Sequence, residues 1–121
     1  DQGRFELRLM DGSANPYLLQ AGVLAAGLYG LNNKSDPGEA LNCNMYTDYE
    51  NYQNLTKLPD DLEESLEILN ENKNMRESFG SEVIDSYLKL KKQEVKDFFK
   101  DEIFDKGKDI TKWEKNNTLD C

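Results

Sequence analysis

Residues 3–31 read GRFELRLMDGSANPYLLQAGVLAAGLYGL, and the two halves of this stretch carry different periods. In the first half Phe5, Leu7 and Leu9 alternate with Arg4, Glu6 and Arg8. A period of two sends successive side chains to opposite faces, so the pattern predicts a short strand with an apolar side and a charged side. The charged side sets two guanidinium groups around one carboxylate. Two readings of that arrangement follow from the residues alone. It is either the solvent face of a half-buried strand, pairing with neighbouring charges, or part of a site that handles oxyanions and a hard cation.

The second half changes period. Asp11, Gly12 and Ser13 are turn residues, and Asn15 before Pro16 is an N-cap followed by proline at the first helical position. From Tyr17 to Leu31 nearly every residue is apolar or small, Gln20 being the polar exception, which predicts a helix buried on most of its circumference. Gly22 and Gly27 inside it lower helix propensity but admit another backbone at close range. The helix is expected to end near Gly30, with Asn32 and Asn33 continuing the turn.

Outward from this stretch, residues 32–58 form a polar run with a turn at Asp36, Pro37 and Gly38 and tyrosines at 46, 49 and 52, read as a long irregular loop. A second helix is expected after Pro59, with Asp60 as N-cap, Glu63 completing a capping box, and Leu62, Leu66 and Leu69 along one side. It should stop among Asn70 to Asn74. A short third helix carries Met75 and Phe79 and ends at Gly80. Ser81 then caps the longest helix, where Ile84, Tyr87, Leu88, Val95, Phe98 and Phe99 recur at helical spacing toward an end near Gly107. That stripe is read as covering the chain's own core, with binding of another protein as the alternative. In the tail, Thr111 and Glu114 form another capping pair and Trp113 is an anchor for a docked short helix.

Composition narrows the functions. With 37% hydrophobic and 32% charged residues in 121, the core should be thin. The net charge of -9, from 24 acidic and 15 basic residues with no basic block, argues against nucleic acid as a partner. The apolar run from Tyr17 to Leu31 falls short of the roughly 20 residues that a membrane span needs, and no charged segment with a cleavage site precedes it. Cys43 and Cys121 lack metal-ligand spacing and are too few for a disulfide framework, which fits reduced thiols in the cytoplasm. There is no histidine, so imidazole catalysis cannot be completed within the chain. The chain starts at Asp1 with no turn or cap before the strand, so residues 1–121 are expected to be the C-terminal portion of a larger catalytic domain.

The runs RFELRLMDGSANPYL, AGVLAAGLYGL and NNKSDPGEALNCNMY resemble, in order and spacing, the catalytic domain of glutamine synthetases. The resemblance continues through LPDDLEESLEIL and SYLKLKKQEV, and the ending TKWEKNNTLDC is similar to the type III, or GlnT-like, branch near the γ-glutamylmethylamide synthetases. It implies an α+β parent domain, of which this part is mostly α with one N-terminal strand and four to five helices. It also implies an ATP-dependent ligase that phosphorylates the γ-carboxylate of glutamate and displaces the phosphate with ammonia, or in the GlnT-like branch with methylamine.

On the same resemblance Glu6 matches a glutamate that binds Mg²⁺ or Mn²⁺ near the ATP phosphates. Arg8 matches an arginine contacting the transferred phosphate and the substrate carboxylate, and Arg4 one on the nucleotide side. The remaining metal ligands are expected upstream of residue 1. Tyr46 stands where some bacterial members carry a tyrosine that receives AMP, although MYTDYENY departs from that loop's asparagine-leucine-tyrosine-aspartate-leucine-proline pattern. The family forms rings whose active sites are shared between subunits. A reading from a different class, an acidic helical module that binds another protein, accounts for the charge and the amphipathic helices but leaves the charged strand and the helix start after it unexplained.

Overall fold

The computed structural model describes residues 3–4, 6–52, 54–101 and 110–117. The order of elements is α1 (Pro16–Asn32), α2 (Met45–Asp48), a 3₁₀ turn (Tyr49–Tyr52), α3 (Leu62–Glu71), α4 (Lys73–Phe79), α5 (Ser81–Asp101) and α6 (Lys112–Asn117). Among the described residues no strand forms, and residues 4 and 6–9 belong to no ladder. The N-terminal strand expected from the alternation is therefore not borne out here. Alternation gives a segment its two faces, but a strand also needs a neighbour to accept and donate its backbone hydrogen bonds. The apolar side lacks a cover as well, with Leu7 and Leu9 exposed.

The helix start is as the sequence predicts. Asn15 Oδ1 accepts the backbone N–H groups of Tyr17 at 3.0 Å and Leu18 at 3.1 Å, and Pro16 opens the first turn. The helix end is not at Gly30. It runs on to Asn32, and Lys34 takes the left-handed conformation with φ 51°. The N–H of Ser35 reaches Gly30 O at 2.9 Å and that of Lys34 reaches Leu31 O at 3.1 Å. These crossed bonds satisfy the last carbonyls of the helix in a Schellman closure. Burial of α1 also differs from expectation. None of its residues is fully buried, and Leu24 and Leu28 are 67% and 58% exposed. Space beside Gly22 and Gly27 is open, so no close backbone approach occurs there among the described residues. A helix apolar on all sides needs neighbours on all sides, and α1 packs chiefly against α4.

The core lies in the second half. Leu66 of α3 meets Ile84 and Leu88 of α5, and these three are the buried hydrophobic residues among those described. Leu69, Phe79, Tyr87 and Val95 pack around them. The amphipathic stripe thus covers the chain's own core, which is as thin as the composition implies. The caps that orient these helices shift by one residue from the expected pairing. Asp61, not Asp60, is the N-cap of α3: its Oδ1 accepts Glu64 N–H at 2.8 Å, while Glu64 Oε2 accepts the backbone N–H of Asp60 at 2.8 Å.

Asn72 closes α3 and caps α4, its Oδ1 accepting Met75 N–H at 3.0 Å. Gly80, at φ 85°, ends α4 as expected, and its N–H bonds Arg76 O at 2.9 Å. Ser81 is the first residue of α5 rather than its cap. Arg76, unremarked in the sequence, ties the three helices together. Its Nε and Nη2 donate to Asn70 O and Oδ1, each at 2.8 Å, and its Nη1 to Asp85 Oδ1 at 2.7 Å. In α6 the expected capping pair is made in both directions, Thr111 N–H to Glu114 Oε2 at 2.7 Å and Glu114 N–H to Thr111 Oγ1 at 3.1 Å. Trp113 docks edge-on against Phe98, with centroids 5.5 Å apart. The end of α5 expected near Gly107 lies outside the described residues.

Candidate functional site

Arg4, Glu6 and Arg8 come together on one side of the N-terminal segment. Arg8 Nε donates to Glu6 Oε1 at 2.6 Å, and Arg4 Nη2 lies 3.8 Å from Glu6 Oε2. Each carboxylate oxygen thus faces one guanidinium, which is what residues two apart produce when alternate side chains share a side. The group is open to solvent: the Arg8 side chain is 85% exposed and that of Glu6 54%. In water such pairs contribute little to stability, so the arrangement is a charge pattern presented outward rather than a structural brace. Arg8 keeps its terminal nitrogens directed to no hydrogen-bond acceptor among the described residues, and a guanidinium edge of that kind suits a phosphate or carboxylate oxygen.

The turn that follows fixes this group relative to α1. Asp11 Oδ1 accepts both the backbone N–H of Ser13 at 2.7 Å and its hydroxyl at 2.6 Å, and Ala14 N–H closes on Asp11 O at 3.3 Å. The Ser13 hydroxyl first, and its backbone N–H second, hold the Asp11 carboxyl below the ordinary aspartate range against a small opposing effect of burial. Two residues further on, Asn15 starts the helix. The charged segment therefore enters α1 through two consecutive side-chain caps.

Tyr46 lies apart, in α2. Its side chain is 99% exposed. The short helix that carries it is built by Asn44, whose Oδ1 accepts Tyr46 N–H at 3.1 Å, and by Asp48, whose Oδ2 accepts Asn44 N–H at 3.1 Å. Thr47 Oγ1 donates to Asn44 O at 3.2 Å. Behind this turn Cys43 Sγ contacts Met45 Sδ at 3.5 Å. The hydrogen bond between Cys43 and the Tyr52 phenol, followed by the thiol's charge and then burial, pushes Tyr52 above the ordinary tyrosine range. An open, mostly apolar crease lined by Met45, Tyr52, Leu58 and Pro59 adjoins it. The helix and its reciprocal caps were not read from the sequence. An asparagine two residues before Tyr46, with an aspartate four residues further on, is a local signal that could have revealed them.

As a metal site the described residues are incomplete. No group of three or more His, Cys, Asp or Glu among them could hold an ion. One carboxylate offers at most two of the six or so oxygens that Mg²⁺ requires, and both oxygens of Glu6 already face arginine. Glu6 has the chemistry of one ligand of a set, not of a whole site. No helix among the described residues is long and apolar enough to cross a membrane.

Residues 1–114 match the family described as glutamine synthetase, catalytic domain, and the chain belongs to that family. The chain is 42% identical over 118 residues to the glutamine synthetase of Rhizobium meliloti (strain 1021), covering 98% of this chain and 25% of that protein. It is 36% identical over 122 residues to the glutamate–methylamine ligase of Methyloversatilis universalis, again covering 98% and 25%. A solved structure, "GmaS/ADP complex-Conformation 1", superposes with a TM-score of 0.72 at 34% identity, over 95% of this chain and 24% of that one. The chain spans about a quarter of the length of these relatives.

Proposed function

We propose that residues 1–121 form the C-terminal portion of the catalytic domain of an ATP-dependent ligase that joins an amine to the γ-carboxylate of glutamate. The observation that carries this reading is membership of the glutamine synthetase catalytic-domain family over residues 1–114. In the reaction a γ-carboxylate oxygen of glutamate attacks the terminal phosphorus of ATP, the bridging P–O bond breaks, and ADP leaves. The amine lone pair then attacks the acyl carbon, the bond to the phosphate oxygen breaks, and inorganic phosphate leaves as the amine gives up a proton.

Arg8 is assigned to the transferred phosphate and the substrate carboxylate, where its planar fork offsets charge that builds in the transition state. Arg4 lies toward the nucleotide. Glu6 supplies one oxygen ligand to Mg²⁺ or Mn²⁺, the rest coming from elsewhere in the protein, and the ion when bound neutralises phosphate charge. The grouping of Arg4, Glu6 and Arg8 on one side of the segment supports these roles, because it sets a carboxylate and two guanidiniums within reach of one phosphate. Tyr46 is assigned a regulatory role, supported by its exposure on a short capped helix. The protein acts in the cytoplasm as a ring-shaped homo-oligomer.

Ammonia is the amine in the first reading. Methylamine is the second, favoured by the similarity to the glutamate–methylamine ligase. The test supplies the protein carrying the whole catalytic domain with ATP, Mg²⁺, glutamate and each amine in turn. Glutamine or γ-glutamylmethylamide should appear by mass, and the absence of both overturns the proposal. Residues 1–121 alone should release no glutamate-dependent phosphate under the same conditions, since a single carboxylate leaves Mg²⁺ mostly hydrated.

A further inference from the structure

We draw no further inference here: the strongest candidate, the exposed apolar face of α1 around Leu24, Leu28 and Leu31 beside the open notches at Gly22 and Gly27, carries nothing because nothing in the structure shows what covers it.

Discussion

Glu6 and Asp11 are two acidic side chains five positions apart with different work. Glu6 sits between two exposed guanidiniums, in a setting where ion pairs contribute within about 1 kcal/mol to stability. On its proposed metal role, Glu6→Ala in the protein with its whole catalytic domain should abolish metal-dependent turnover, and its exposure should leave the thermal transition nearly in place. Normal turnover in that variant, measured as phosphate release, would remove Glu6 from the metal site. Asp11, by contrast, holds a turn. Its carboxyl is depressed by Ser13, so its stabilising effect is present above the pKa of an unfolded aspartate and is lost as pH falls through the lower folded value. A carboxyl-carbon NMR titration should place Asp11 below an ordinary aspartate, and Ser13→Ala should move it back up. An unchanged midpoint in that variant would contradict the hydrogen bond from the Ser13 hydroxyl to Asp11.

Each helix boundary is decided by which side chain reaches an orphan backbone group. Two adjacent aspartates precede α3, and only Asp61 places its carboxylate on Glu64 N–H, whereas Asp60 contributes its backbone N–H to Glu64. Asp61→Ala should cost about 1 kcal/mol, the usual value of an N-cap. Asp60→Ala should stay within about 0.5 kcal/mol, as for a surface change away from such features. Paired denaturant melts distinguish them, and equal losses would mean that the cap is shared. At the other end of α1, Lys34 occupies a left-handed position usually given to glycine, because the crossed bonds from Lys34 and Ser35 satisfy carbonyls otherwise left open. Gly30, about four turns into the helix, is passed over since the helix continues to gain backbone bonds beyond it.

For the molecule as a whole, burial is unevenly distributed. The hairpin of α3 and α5 closes on Leu66, Ile84 and Leu88, while α1, the most apolar helix, keeps most of its surface in water. With so few buried side chains the margin of stability is narrow. Leu66→Ala should remove about 2–5 kcal/mol, transfer and cavity terms together, and abolish the cooperative helical melt of the 121-residue chain at 25 °C. A circular-dichroism melt that stays cooperative and close to the parent's would show that the core lies elsewhere. The exposed face of α1 cannot be compensated from within, because α4 offers it only a short, largely polar partner.

What the sequence determined by itself is local. Asn15 and Pro16 start α1, Gly80 ends α4, Thr111 and Glu114 cap α6, and the period of two in residues 4–9 groups Arg4, Glu6 and Arg8, because each of these depends on side chains within a few residues of one another. The stripe on α5 was likewise legible, since 3.6-residue spacing marks a buried face whatever covers it. Only the tertiary structure decided that residues 6–9 pair with no strand among the described residues, that Leu24 and Leu28 face water, and that Arg76 joins α3 to α5. Ladder bonds, burial and long-range hydrogen bonds each need a partner distant in sequence, and a pattern of residues states the need for that partner without supplying it.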